Sequence, residues 1–182
     1  AFLRGDGLVW NPGERVQAYT HPGWLGLLLV LRVLGLSAYG ALLAAGVLCT
    51  AGFVAILARL QRPALLWPVL VVLGLSPAFV HFATSGLEAP LTHLLLGLFF
   101  FGLVRGARLV SLVLLASLLA LNRMDVVLFC VLPLLVRSQQ ELRARGFLRT
   151  ASALGLGVLP LVAWLLFSFV YYGTFVPNTA YA

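Results

Sequence analysis

Long apolar stretches separated by short, charge-segregated breaks constrain this chain more than any single motif in it. Eight of the twelve arginines fall in three breaks, Arg59/Arg62, Arg105/Arg108 and Arg137/Arg143/Arg145/Arg149, while four of the five acidic residues, Asp6, Glu14, Glu88 and Asp125, fall in the breaks between. Arginine-rich short loops are retained on the cytoplasmic side of a membrane, so the alternate breaks are expected together on the outer face. Composition agrees: 62% hydrophobic residues, 9% charged residues and a mean hydropathy of +1.07 exclude an ordinary soluble domain. The formal charge of +7 raises the question of nucleic acid, but the arginines stand singly or in pairs at the ends of apolar runs, with no aromatic-interleaved basic surface. They read as topology signals and lipid-headgroup contacts, and no nucleic-acid partner is expected.

The expected architecture is an all-α polytopic membrane protein, a transmembrane helical bundle forming one domain over 1–182. Crossing about 30 Å of hydrocarbon takes about 20 apolar residues. Stretches 37–58, 64–83 and 150–171 meet that length or nearly so, and 87–104 is slightly short. Residues 24–36 are too short to span and contain Arg32, which predicts a helix lying at the outer surface or re-entering shallowly; the alternative makes 24–58 one kinked hairpin. As one helix, 109–136 would exceed the bilayer and bury Arg123 and Asp125 near its centre. Two half-spanning helices, 109–121 and 126–136, avoid this and place Asn122-Arg123-Met124-Asp125 at a hairpin tip in a protein-lined cavity. The segment 137–149 then reads as a cytoplasmic basic loop, 1–23 as an outer loop and 172–182 as an outer segment. Ser37, Ala41 and Ala45 offer a small-residue face for helix packing, and Pro68, Pro77, Pro133 and Pro160 predict kinks. Cys49 and Cys130 lie inside apolar runs, where thiols act as small hydrophobes rather than disulfide partners. The chain opens Ala1-Phe2-Leu3-Arg4 without an initiator methionine or signal segment, which is the pattern expected of a piece of a longer protein.

Four polar segments converge on the expected outer face: 1–23, 84–88, 122–125 and 171–182. Each has a plain structural account. Glu88 near a helix start is favoured by the macrodipole alone, Arg123 and Asp125 suit a structural ion pair, and Tyr171, Tyr172 and Trp24 suit an interfacial belt. His21, His81 and His93 lack metal-ligand spacing. The case for a functional site rests on convergence.

At these segments the chain resembles a known family. Gly7-Leu8-Val9-Trp10-Asn11-Pro12-Gly13-Glu14-Arg15-Val16 with Tyr19-Thr20, then Ser85-Gly86-Leu87-Glu88-Ala89-Pro90-Leu91, then Arg123-Met124-Asp125, then Tyr172-Gly173-Thr174 with Pro177-Asn178-Thr179-Ala180-Tyr181-Ala182, are similar to the bacterial GT-C glycosyltransferases of the mycobacterial terminal arabinofuranosyltransferase type. The blocks keep the family's order over essentially the whole chain; the first and last are specific, the middle two weak alone. The resemblance implies a multi-pass enzyme of the bacterial cytoplasmic membrane, active face outward, that moves a sugar from a polyprenyl-phosphate donor to a cell-envelope glycan acceptor. Two departures stand out: Arg123-Met124-Asp125 replaces the family's Arg-Pro-Asp, and Gln17-Ala18 precedes the Tyr-Thr pair where glutamate or glycine is common. The family's catalytic acidic pair lies upstream of Gly7, so the general base is expected outside this chain.

On this reading Arg123 is the candidate contact for the lipid phosphate, because guanidinium binds phosphate oxygens bidentately. Asp125 orients Arg123 or binds a sugar hydroxyl. Glu88, Asn178 and Tyr181 are candidates for donor or acceptor hydroxyls, with Glu14, Arg15 and Tyr19 shaping the pocket floor. No cofactor beyond the donor substrate is implied, and a divalent metal is left open. The rival readings are a transporter or flippase fragment with a midplane site between broken helices, and a non-catalytic membrane scaffold.

Overall fold

The computed structural model describes residues 7–9, 16–17, 19–60 and 62–175. Among the described residues the chain is all-α: α1 (Pro22–Val33), α2 (Ala38–Leu60), α3 (Pro63–Leu75), α4 (Pro77–Thr84), α5 (Ala89–Val104), α6 (Leu109–Asn122), a 3-10 turn (Asp125–Val127), α7 (Leu128–Arg145) and α8 (Phe147–Tyr172). Helices α2 and α8 are long and apolar enough to cross a membrane, and α3 with α4 would make a third span if their bend is counted through. The apolar residues face outward as well as inward: Val170 is 83% and Leu75 77% exposed, while Leu112, Leu119 and Phe99 are fully buried. In water such exposure would be costly, whereas lipid tails cover it without penalty. The chain is an all-α membrane protein.

The short helix α6 is the centre of the bundle. Its buried residues, Leu109, Leu112, Val113, Ala116 and Leu119, recur at three- and four-residue spacing, and Ser117 and Asn122 are buried beside them. Leu112, Ala116 and Leu119 share a core with Leu95 and Phe99 of α5 and Cys130 of α7. On its other side α6 meets α8 so closely that a Cβ on Gly157 would lie 2.5 Å from Val113 Cβ. Small residues at helix crossings permit this approach, the usual device where lipid removes any hydrophobic drive for helices to pair. The same close approach, rather than the 37/41/45 stripe alone, seats α2: Ala41 and Ala45 are buried with Gly46, whose Cα faces the Ala83 carbonyl.

Chain direction follows from these contacts. Leu42 lies against Gly86, Gly52 against Leu94, and Gly97 against Phe53 and Ile56, so α2 and α5 run the same way. Helix α6 returns through the Arg105–Arg108 turn, α7 runs back down, and α8 rises beside α6. Arg59, Arg105, Arg108 and the Arg143–Arg149 segment therefore gather at one end, and His21, Glu88, Asn122 and Arg123 at the other.

Two sequence expectations are corrected. The stretch 64–83 is not one kinked helix: α3 and α4 meet at a 72° bend. Proline disfavours helical backbone in the residue before it, and Ser76, extended at ψ 107, instead caps α4 by accepting a hydrogen bond from the Phe79 amide at 3.4 Å. Nor is 137–149 a loop, since α7 continues to Arg145 and α8 begins at Phe147. The segment Arg137 to Arg145 contains no glycine or proline, carries a Glu141–Arg145 pair at 3.3 Å one turn apart, and places Arg143 and Arg145 where the helix dipole favours cations. It stops at Gly146, whose φ of +81° only glycine adopts freely. Pro133 is accommodated inside α7, and Pro160 inside α8.

Candidate functional site

The site is built where the start of α5, the end of α6 and the entrance to α1 meet. Positive φ at Gly86 turns the 84–88 segment so that the Gly86 carbonyl accepts from Trp24 Nε1 at 2.9 Å. Glu88 follows as the residue flanking α5. Its carboxylate makes no capping bond to the helix, so the dipole is not its whole account. It is 12% exposed and faces two basic side chains: Arg123 Nη1 lies 3.7 Å from Oε1, and His21 Nε2 lies 3.7 Å from Oε2.

Asn122 ties these elements together. It is fully buried, and its Nδ2 donates to the Glu88 carbonyl at 3.1 Å and to Thr92 Oγ1 at 2.8 Å. Thr92 Oγ1 in turn donates to the same carbonyl at 3.2 Å. A carbonyl accepts only, which fixes the amide orientation with nitrogen toward Glu88. Asn122 Oδ1 is left without a hydrogen-bond partner among the described residues. The Asn122 carbonyl lies 2.7 Å from His21 Nδ1, which must therefore carry a proton. His21 Nε2 is then the nitrogen that faces Glu88.

Arg123 and Asp125 form a forked pair, with Nε to Oδ1 at 3.2 Å and Nη2 to Oδ2 at 2.9 Å. The hydrogen bonds from Arg123, reinforced by its charge, hold the Asp125 carboxyl below the ordinary carboxylate range; the same bonds push Arg123 further toward its charged form. One edge of the guanidinium is thus occupied by Asp125. Its end-on edge, Nη1 with the second Nη2 hydrogen, carries no hydrogen bond at ordinary distance among the described residues. Asp125 is 63% and Arg123 40% exposed, so the pair opens to the surroundings while Glu88 lies beneath it.

The other outer segments close over the same end. Tyr172 donates to the Leu8 carbonyl at 2.7 Å and Tyr19 to the Val9 carbonyl at 3.2 Å; Thr174 donates to buried Gln17 at 3.4 Å. Tyr19 lines a small cavity of about 50 Å³ with Gln17, Met124, Trp164 and Phe175. Of the sequence-derived candidates, the structure brings Glu88, Arg123 and Asp125 together and holds Tyr19 nearby. Glu14, Arg15, Asn178 and Tyr181 lie outside the described residues. Sequence reasoning missed His21 and Asn122. His21 meets a carbonyl 101 positions away, which no spacing reveals, whereas a lone Asn closing an apolar helix was a readable signal. No three His, Cys, Asp or Glu side chains group as a metal site among the described residues.

The fold and site define an all-α membrane protein with a mixed-charge cluster roofed by aromatic loop residues at one end of a short central helix. No family model matches the chain, and no solved structure matches it. Among curated proteins it is similar to the terminal beta-(1->2)-arabinofuranosyltransferase of Mycobacterium tuberculosis, 35% identical over 204 aligned residues. The alignment takes in 100% of this chain but 32% of that protein, so the chain spans about a third of the relative's length.

Proposed function

We propose that this chain is part of a membrane glycosyltransferase of the GT-C type, which transfers a sugar from a polyprenyl-phosphate donor to a cell-envelope glycan on the outer face of the bacterial cytoplasmic membrane. The observation that carries the reading is the 35% identity to an arabinofuranosyltransferase across the whole chain. The gathering of Glu88, Arg123 and His21 at one end supports it. So does the collection of arginines at the other end, which on the positive-inside rule faces the cytoplasm.

In such a transfer an acceptor hydroxyl attacks the anomeric carbon as the bond from sugar to phosphate oxygen breaks. The hydroxyl proton passes to a carboxylate base, and the lipid phosphate leaves with the bonding pair. Arg123 receives the phosphate on its end-on edge, where two parallel N–H bonds match two phosphate oxygens and offset the charge that develops on departure. Asp125 orients the guanidinium and Glu88 binds a sugar hydroxyl; Asn178 and Tyr181 are the further candidates for donor or acceptor hydroxyls, and Glu14, Arg15 and Tyr19 the candidates for the pocket floor. The test is transfer from a polyprenyl-phosphate sugar by membranes carrying the longer protein. Arg123→Ala is expected to reduce transfer by about 10²-fold or more, and Arg123→Lys to recover little, because an ammonium lacks the fork. Transfer unchanged in Arg123→Ala would refute the assignment.

A further inference from the structure

A groove of about 330 Å³ lies at the opposite end from Glu88, where α6, α7 and α8 meet. Arg108, Arg145 and Arg149 line it, with Glu141 as the single acid. Glu141 is paired to Arg145 at 3.3 Å. Neighbouring Arg137 is already committed, donating to the Ala107 carbonyl at 3.0 Å and to Gln140 at 3.1 Å. The guanidiniums of Arg108 and Arg149 make no hydrogen bond or ion pair among the described residues, so both remain uncompensated. Helices α6 and α8 begin at this groove without a side-chain cap, adding the positive ends of two dipoles. One wall is apolar: Leu148 and Leu156, two turns apart on α8, are 79% and 59% exposed and lead from the basic mouth along the spanning helix.

A ligand that fits has an anionic phosphate at one end and an acyl chain at the other. We infer that this groove is a binding site for an anionic phospholipid, its phosphate between Arg108 and Arg149 and one chain along Leu148 and Leu156. A zwitterionic lipid satisfies the apolar wall but leaves the two charges unmatched, and free phosphate does the reverse. The groove is about 20 Å from Arg123 along the fourteen residues of α6, so it is separate from the proposed donor site and does not depend on that reading.

The experiment is thermal unfolding and native mass spectrometry of the protein, delipidated in dodecylmaltoside and titrated with dioleoylphosphatidylglycerol, dioleoylphosphatidylcholine or inorganic phosphate. The expected result is a preference for phosphatidylglycerol over phosphatidylcholine of roughly 25-fold, since each of the two arginines near an anionic headgroup contributes about fivefold. Arg108→Gln with Arg149→Gln should abolish the preference while leaving the lipid-free melting temperature unchanged. Arg59→Gln with Arg62→Gln, which removes two charges at the same end but outside the groove, should retain it. Equal binding of the two lipids overturns the inference, as does protection by phosphate alone equal to that by the lipid. Loss of preference in the Arg59/Arg62 pair would also overturn it, by showing that total charge rather than this groove is read.

Discussion

Replacing Asn122 tests whether the polar tie between α6 and α5 positions the site. Asn122→Ala removes two hydrogen bonds, at 3.1 Å to the Glu88 carbonyl and at 2.8 Å to Thr92 Oγ1. Interhelical hydrogen bonds in membrane proteins are worth about 0.6 kcal/mol on average, rising to about 1.7. Two of them, less the relief of removing the unpaired Oδ1, give a loss of about 1–2 kcal/mol. The Glu88 carbonyl is not orphaned, because the Thr92 amide and hydroxyl still reach it at 3.1 and 3.2 Å, so a larger loss is not expected. Thr92→Val removes the shared bond from the other side. A double-mutant cycle should therefore return a coupling of about 0.6 kcal/mol or more. Reversible unfolding in mixed dodecylmaltoside and sodium dodecyl sulfate micelles, followed by far-ultraviolet circular dichroism, measures all four proteins. Additive single losses, with no coupling beyond error, would refute the claim that Asn122 and Thr92 act as one unit.

Gly157→Ala places a Cβ 2.5 Å from Val113 Cβ and 3.0 Å from the Val110 carbonyl, so α6 and α8 must separate; a loss of about 1–3 kcal/mol in the same unfolding assay is expected, against near-neutrality for Gly155→Ala, which meets open space. Asp125 is held below the ordinary carboxylate range in the folded protein, so the stabilisation from its pairing with Arg123 is fully present above the unfolded carboxyl's pKa and is lost only as pH falls through the lowered folded value. Both partners are well exposed, so the contribution is about 0–1 kcal/mol, and Asp125→Asn should flatten that acid limb of the pH–stability curve while leaving stability at neutral pH nearly unchanged. His21→Phe removes the bond to the Asn122 carbonyl and the contact with Glu88; a loss of about 0.6–1.7 kcal/mol in the unfolding assay is expected, and unchanged stability would show that the ring serves packing only.

What the sequence revealed, and what it hid, divides along the range of the interactions. Helix α2 was readable as the apolar run 37–58 before Arg59, and α8 as the run 150–171 after Arg149. The short α6 was readable for a different reason, since charge at Arg123 and Asp125 forbade a longer helix. The break at Ser76 was half-visible: Pro77 signalled a disturbance, but its size depends on α4 packing back against α2 at Gly46. The basic segment of α7 was misread because charge was taken to mean loop, although its residues are good helix formers lacking any breaker before Gly146. Within the site, Glu88, Arg123 and Asp125 were legible as polar residues in apolar surroundings. His21 was not, because its role arises from a contact 101 residues away; Asn122 stood out as the lone amide ending an apolar helix, but its tie to the Glu88 carbonyl, 34 residues away, did not.

The charge balance of the cluster bears on how a phosphate would be received. Arg123 faces two carboxylates, Glu88 and Asp125, a net excess of one negative charge that opposes an incoming phosphate. Two features ease this. Asp125, at 63% exposure, repels the phosphate weakly, because charges open to the surroundings are screened. Glu88, at 12% exposure, lies beneath the guanidinium, on the opposite side from the opening by which a donor would arrive. On the proposed reading the phosphate therefore takes the end-on edge while Asp125 keeps the Nε and Nη2 edge. Asp125 then fixes the plane of the guanidinium, and so the direction in which its free edge faces, both before and after the donor arrives.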